Sequence, residues 1–188
     1  MSVVLRFIHL NGPPGIGKST LARRYAEDHP GMLNLDIDQL RSLIGGWQQR
    51  FTETGEIVRP LALSMAAAHL GGGRDVVMPQ YLGRVGEIER FEAVARDHGA
   101  VFCEVVLMDS KQGSLERFAR RGEDDELPWH RQVQEIVARK GGPTLLAGMH
   151  DRLTDVIRAR PAAVVLPSVA GAIQQTYEAL SAILDPGR

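Results

Sequence analysis

The stretch Gly12-Pro-Pro-Gly-Ile-Gly-Lys18-Ser19 constrains this chain more than any other feature. It has the spacing G-x-x-x-x-G-K-[ST], and its surroundings agree with it. An apolar run, Arg6 to Asn11, precedes it, and Leu21, Ala22, Tyr25 and Ala26 follow at helical spacing. Gly15 and Gly17 lack a Cβ, so the backbone between strand and helix can turn sharply and aim its N–H groups at an anion. The positive end of the following helix points to the same place. The chain has only three lysines, and one of them, Lys18, can reach the β- and γ-phosphates of a nucleotide bound there. The Ser19 hydroxyl is placed to hold Mg²⁺. The expected ligand is therefore ATP with magnesium. ATP is preferred over GTP because no guanine-reading N-K-x-D pattern occurs. The loop does not fix the chemistry, since kinases, GTPases and ATPases share it.

The rest of the chain is organised to match. Met32 to Asp38 alternates apolar and polar residues like a strand; Asp75 to Met78, Val101 to Met108 and Ala162 to Leu166 are further apolar runs. Between them lie helical patterns, including one with Ile57, Leu61, Met65 and Ala68 on its expected buried face. Strands separated by helices predict a parallel sheet covered on both faces, with ligands at the carboxyl ends of its strands. The fold class is α/β with five parallel strands, in a single domain over residues 1–188. A content of 44% hydrophobic and 24% charged residues suits a packed globule and excludes disorder. A net charge of −1 gives no global field for holding a nucleic-acid duplex. One cysteine, Cys103, excludes an internal disulfide. No run approaches a membrane span, and the N-terminus has no basic leader region, so a cytoplasmic location is expected.

Two further groups carry chemistry. Asp36 and Asp38 lie two apart and would share one face of a regular strand, while Arg41 follows Asp38 by one helical turn. A carboxylate beside a guanidinium at the sheet edge suits an acceptor hydroxyl and an anionic group; Asp38 could equally cap a helix over residues 39–44. Arg117, Arg120 and Arg121 share one helical face after the fourth strand, where arginines could close over a transferring phosphoryl group or simply line a solvated face. The acidic stretch Gly122 to Pro128 reads as the tip of such a lid, taken as 111–131. Trp47 could wall an acceptor pocket or pack as core, and Cys103 reads as core.

The segment Gly12 to Ile44, with its phosphate loop and the Asp38–Arg41 pair, resembles the small P-loop kinases of the polynucleotide kinase, chloramphenicol phosphotransferase and zeta-toxin type. Over this segment it is most similar to the kinase domain of phage polynucleotide kinase. The resemblance implies a three-layer P-loop kinase-like sandwich with a helical lid. It implies Asp38 as catalytic base, Arg41 as a contact to an acceptor anion, and Arg121 as lid arginine. Nucleotide contacts then fall on Gly12, Pro14, Gly15, Ile16, Gly17, Lys18, Ser19, Thr20, Arg117 and Arg121, and acceptor contacts on Asp36, Asp38, Arg41 and Gln80. One departure stands out. The group's third strand ends in an aspartate near the metal, and this chain has Pro79-Gln80 there. The expected function is γ-phosphoryl transfer from ATP to a hydroxyl of a small-molecule or nucleotide acceptor. The alternatives are a nucleotide-binding switch with little turnover and a toxin-like kinase of nucleotide sugars.

Overall fold

Strand β1 (Arg6–Asn11) is the middle of a five-stranded, all-parallel sheet of order β2-β3-β1-β4-β5. The partners are β2 (Leu33–Asn34), β3 (Val76–Pro79), β4 (Val101–Met108) and β5 (Val164–Pro167). The computed structural model describes residues 4–124 and 128–186, and the side chains of 121–131 lie outside that description. In register, Ile8 lies beside Val77 and Cys103, and Leu10 beside Pro79 and Val105. Alternation along β1 sends Phe7 to one face, with Met78 and Val106, and Ile8 and Leu10 to the other, with Val77, Val105 and Leu107. Helices α1 (Lys18–Glu27) and α8 (Ile173–Leu184) cover the second face through Leu21, Ala22, Tyr25, Tyr177 and Leu180. Helices α3 (Phe51–Gly71), α4 (Val85–Asp97) and α7 (Gly142–Ala159) cover the first through Val58, Ala62, Phe91 and Leu153. The result is the expected three-layer P-loop kinase-like sandwich. Helices α2 (Ile37–Ser42), α5 (Lys111–Asp124) and α6 (Pro128–Arg139) complete the chain. No helix among the described residues is long and apolar enough to cross a membrane.

Two elements differ from the sequence reading. The strand expected over Met32 to Asp38 stops at Asn34, because the Asp36 side chain accepts from the N–H groups of Asp38 and Gln39 and starts α2 instead. Asp36 and Asp38 therefore do not share a strand face. The helix α3 is present, but its buried side is Thr54, Val58, Ala62, Ala66 and Leu70, while Ile57, Leu61 and Met65 are exposed. The two stripes are offset by one residue, and the smaller one packs on the sheet.

Candidate active site

The phosphate loop leaves β1 at Gly12. A Cβ there would stand 2.7 Å from the Leu107 carbonyl of β4, so only glycine allows the turn to pass so close to the sheet. The loop ends at Gly17, whose left-handed backbone (φ 103°) forms the N-cap of α1 and leaves the first N–H groups of that helix unblocked by a cap side chain. Lys18 is buried, and its ammonium donates to the carbonyls of Gly12 and Pro13 at 2.8 and 2.9 Å. Arg117 braces the loop from outside. It donates to the carbonyls of Ile16 and Ser168 at 3.0 and 2.6 Å and pairs with Asp109 at 3.5 Å.

The exit of β3 is held by the middle strand. Pro79 has no N–H, so the ladder cannot continue. Two fully buried polar residues of β1 take over. His9 Nε2 donates to the Gln80 carbonyl at 2.9 Å. Asn11 Oδ1 accepts from the N–H groups of Gly12 and Leu82, and its Nδ2 donates to the Leu82 carbonyl. Asn11 thus ties the loop carrying Gln80 and Tyr81 directly to the phosphate loop. Burial lowers the His9 pKa to about 4, with Lys18 and Arg160 adding repulsion, so the ring is neutral and its Nε2–H serves as donor. Behind it, Glu104 is pushed upward by burial, while Arg160 bonds its carboxylate at 2.5 Å and opposes that rise.

A cavity of about 900 Å³ opens at the carboxyl ends of the strands. Pro14, Gly15, Gly17, Lys18, Ser19 and Thr20 line one part of it, and Asp36, Asp38, Arg41 and Gln80 another. Gly12 and Ile16 are buried and shape the loop from beneath. Asp38 sits in the first turn of α2, and its side chain is 42% exposed. Its Oδ1 accepts from Arg41 at 3.3 Å. Arg41 is buried and lies 3.9 Å from the centre of the Phe51 ring. Burial lowers the Arg41 pKa, with Asp38 opposing and Arg59 reinforcing the fall. Seven cations, among them Lys18, Arg41, Arg59, Arg120 and Lys140, line the cavity against the two carboxylates Asp36 and Asp38, counted among the described residues. A chain of net charge −1 therefore concentrates positive charge at one place.

Within the segment expected as a lid, 111–131, side chains are described only up to Arg120. Ser114 and Phe118 are buried, and Arg117 is bonded to the body, so the first half of α5 is fixed packing. The expected tip begins as the last turn of α5 (Gly122 to Asp124), and residues 125–127 lie outside the described chain. Arg120 reaches the cavity; the Arg121 side chain lies outside the described residues. Trp47 packs beside Phe51 at 6.5 Å and is not part of the cavity wall. Sequence reasoning missed Phe51, Arg59, Lys140 and the apolar residues of α6 and α7, which reach the cavity from elements distant in sequence.

The family model described as an AAA domain (AAA_33) matches residues 7–141, well over half of the chain and including the phosphate loop and Asp38–Arg41. The chain belongs to the AAA_33 family. Solved structures agree on the fold. A candidate kinase from Chloroflexus aurantiacus superposes with a TM-score of 0.67 at 16% identity, covering 100% of both chains. The tunicamycin resistance protein of Deinococcus radiodurans gives 0.61 at 20% identity over 96% of each chain. A gluconokinase from Sinorhizobium meliloti gives 0.59 at 19% identity over 95% of each. No curated protein matches by sequence. The AAA_33 assignment and these structures agree with the resemblance read from Gly12 to Ile44: a small P-loop kinase fold.

Proposed function

We propose that the chain is an ATP-dependent phosphotransferase that moves the γ-phosphoryl group to a hydroxyl of a small-molecule or nucleotide acceptor. The observation that carries this reading is the meeting of two unlike residue sets in one cavity. The phosphate loop with Lys18 and Ser19 serves a nucleotide; the Asp38–Arg41 pair, bonded to each other in another part of the same cavity, serves an acceptor. A nucleotide-binding switch needs only the first set. Two structural neighbours, a gluconokinase and a candidate kinase, agree with the reading.

In this scheme the Lys18 ammonium exchanges its bonds to the Gly12 and Pro13 carbonyls for phosphate oxygens. The backbone N–H groups of the loop and Thr20 complete the cradle. The Ser19 hydroxyl and the Asp36 carboxylate face the same cavity, and hard oxygen donors of this kind fit magnesium. When bound, that ion offsets charge on the β- and γ-phosphates. Arg41 holds the acceptor, and the acceptor oxygen forms a bond to the γ-phosphorus while the bond to the ADP oxygen breaks. Asp38 takes the hydroxyl proton, and the electron pair of the broken bond leaves with ADP. Arg121 and Arg120, from the end of α5, offset charge on the transferring group, and Arg117 keeps the loop in shape. Such a reaction draws on ATP and belongs in the cytoplasm.

Asp38→Asn tests the scheme. It keeps the size of the side chain but cannot take a proton. ADP release in the presence of acceptor should fall about 10²–10⁴-fold in kcat, with ATP affinity unchanged. A variant that melts earlier yet transfers phosphate at the parent rate would make Asp38 a structural residue only.

A further inference from the structure

Resting on that reading, we propose that the acceptor is an amphiphilic anion. It is a hydroxyl compound with a carboxylate or phosphate and an apolar, ring-like body, and not a polyol. Unsatisfied groups in the acceptor part of the cavity state what the ligand must bring. Arg41 is more than nine-tenths buried, and its Nε has no hydrogen-bond partner among the described residues. Its one carboxylate contact among the described residues, Asp38 at 3.3 Å, is the group that must receive the proton. A buried guanidinium answered only in part calls for an anion from outside. Gln80 Oε1 is likewise buried without a partner among the described residues and accepts from a donor on the ligand.

Other residues of the lining are of another kind. Val133 and Val137 of α6 and Leu145 and Met149 of α7 are half-buried, and all four line the cavity. The Tyr81 hydroxyl donates to the Met149 carbonyl at 3.0 Å, which holds this wall against the β3 exit and leaves the ring as the surface offered. Phe51, also in the lining, lies under Arg41, with the Lys140 ammonium 5.3 Å from its centre. The Gln134 carboxamide, which also reaches the cavity, donates to the Phe118 and Ala119 carbonyls. A polyol would lose water at each hydroxyl against such a wall and regain few bonds. An apolar ring loses nothing there and gains contact area.

The test is calorimetric titration of four probes into the chain saturated with magnesium and a non-hydrolysable ATP analogue. The probes are 4-(hydroxymethyl)benzoate, 4-(hydroxymethyl)phenyl phosphate, gluconate and benzyl alcohol. The two ring-bearing anions should bind at least about tenfold more tightly than gluconate or benzyl alcohol. Whichever of the two binds more tightly identifies the anion as carboxylate or phosphate. Met149→Gln should erase the preference over gluconate with the analogue's affinity unchanged, and Arg41→Gln should erase the preference over benzyl alcohol. Gluconate binding as tightly as the ring anions, benzyl alcohol binding as tightly as the benzoate, or no probe binding at all overturns the proposal. The kinase reading is judged separately by ADP release with ATP: ring anions that bind in the stated order without turnover would sustain the pocket and remove the transfer.

Discussion

At the scale of single residues, the cleft depends on polar groups held where water does not reach. His9 is the sharpest case. Burial takes its pKa from the ordinary 6.5 to about 4, so below pH 6.5 the unfolded chain takes up a proton that the folded chain refuses. The unfolded state then binds more protons, and stability rises with pH across that window. The contribution is complete above about pH 6.5 and is lost as pH falls toward 4, by roughly 3 kcal/mol in all. His9→Gln keeps a donor for the Gln80 carbonyl but does not titrate. Melting curves from pH 7 to 4.5 should therefore fall more steeply for the parent than for this variant; equal slopes would mean that His9 is not held neutral. Lys18 is the corresponding case for the ligand. In the proposed scheme its charge serves the β- and γ-phosphates, so Lys18→Ala should weaken triphosphate binding far more than adenosine binding by calorimetry. Equal losses for both would remove the phosphate role.

At the scale of elements, legibility followed local chemistry. The phosphate loop and β4 could be read because each is set by its own residues: glycines at fixed spacing in one case, an unbroken apolar run in the other. The end of β2 could not, since alternation continues through Asp36 while the backbone is already turning into α2 under that side chain. Helix α3 carries two apolar stripes one residue apart, and periodicity alone cannot say which meets the sheet. The small stripe wins because small side chains let the helix come close. Gly55 follows the same logic. It lies buried inside α3, and a Cβ there would stand 3.2 Å from the Arg41 guanidinium. Gly55→Ala should add up to about 1 kcal/mol of helix stability while moving Arg41, so the melting temperature rises and acceptor KM rises with it. An unchanged KM would show that Arg41 does not depend on this fit. The apolar part of the cavity was illegible for a different reason: Phe51, Tyr81 and Met149 come from α3, the β3 exit and α7, and only the tertiary fold assembles them.

At the scale of the whole molecule, one edge of one sheet gathers the chemistry. Loop, β2 exit and β3 exit all open at the carboxyl ends of parallel strands, and α5 to α7 contribute to the lining of the same cavity. The near-neutral sequence hid a cationic cavity because, among the described residues, the acidic side chains other than Asp36 and Asp38 lie outside its lining. Such a cavity could still serve slow hydrolysis, and the fate of the γ-phosphoryl group separates the two possibilities. The decisive measurement is a single turnover with γ-labelled ATP, magnesium and a ring-bearing hydroxy acid, with the products separated as organic and inorganic phosphate. The account predicts that label moves into the organic phosphate, at a rate set by acceptor concentration and abolished in Asp38→Asn. Label released only as inorganic phosphate, at a rate indifferent to acceptors and to Asp38, would contradict it.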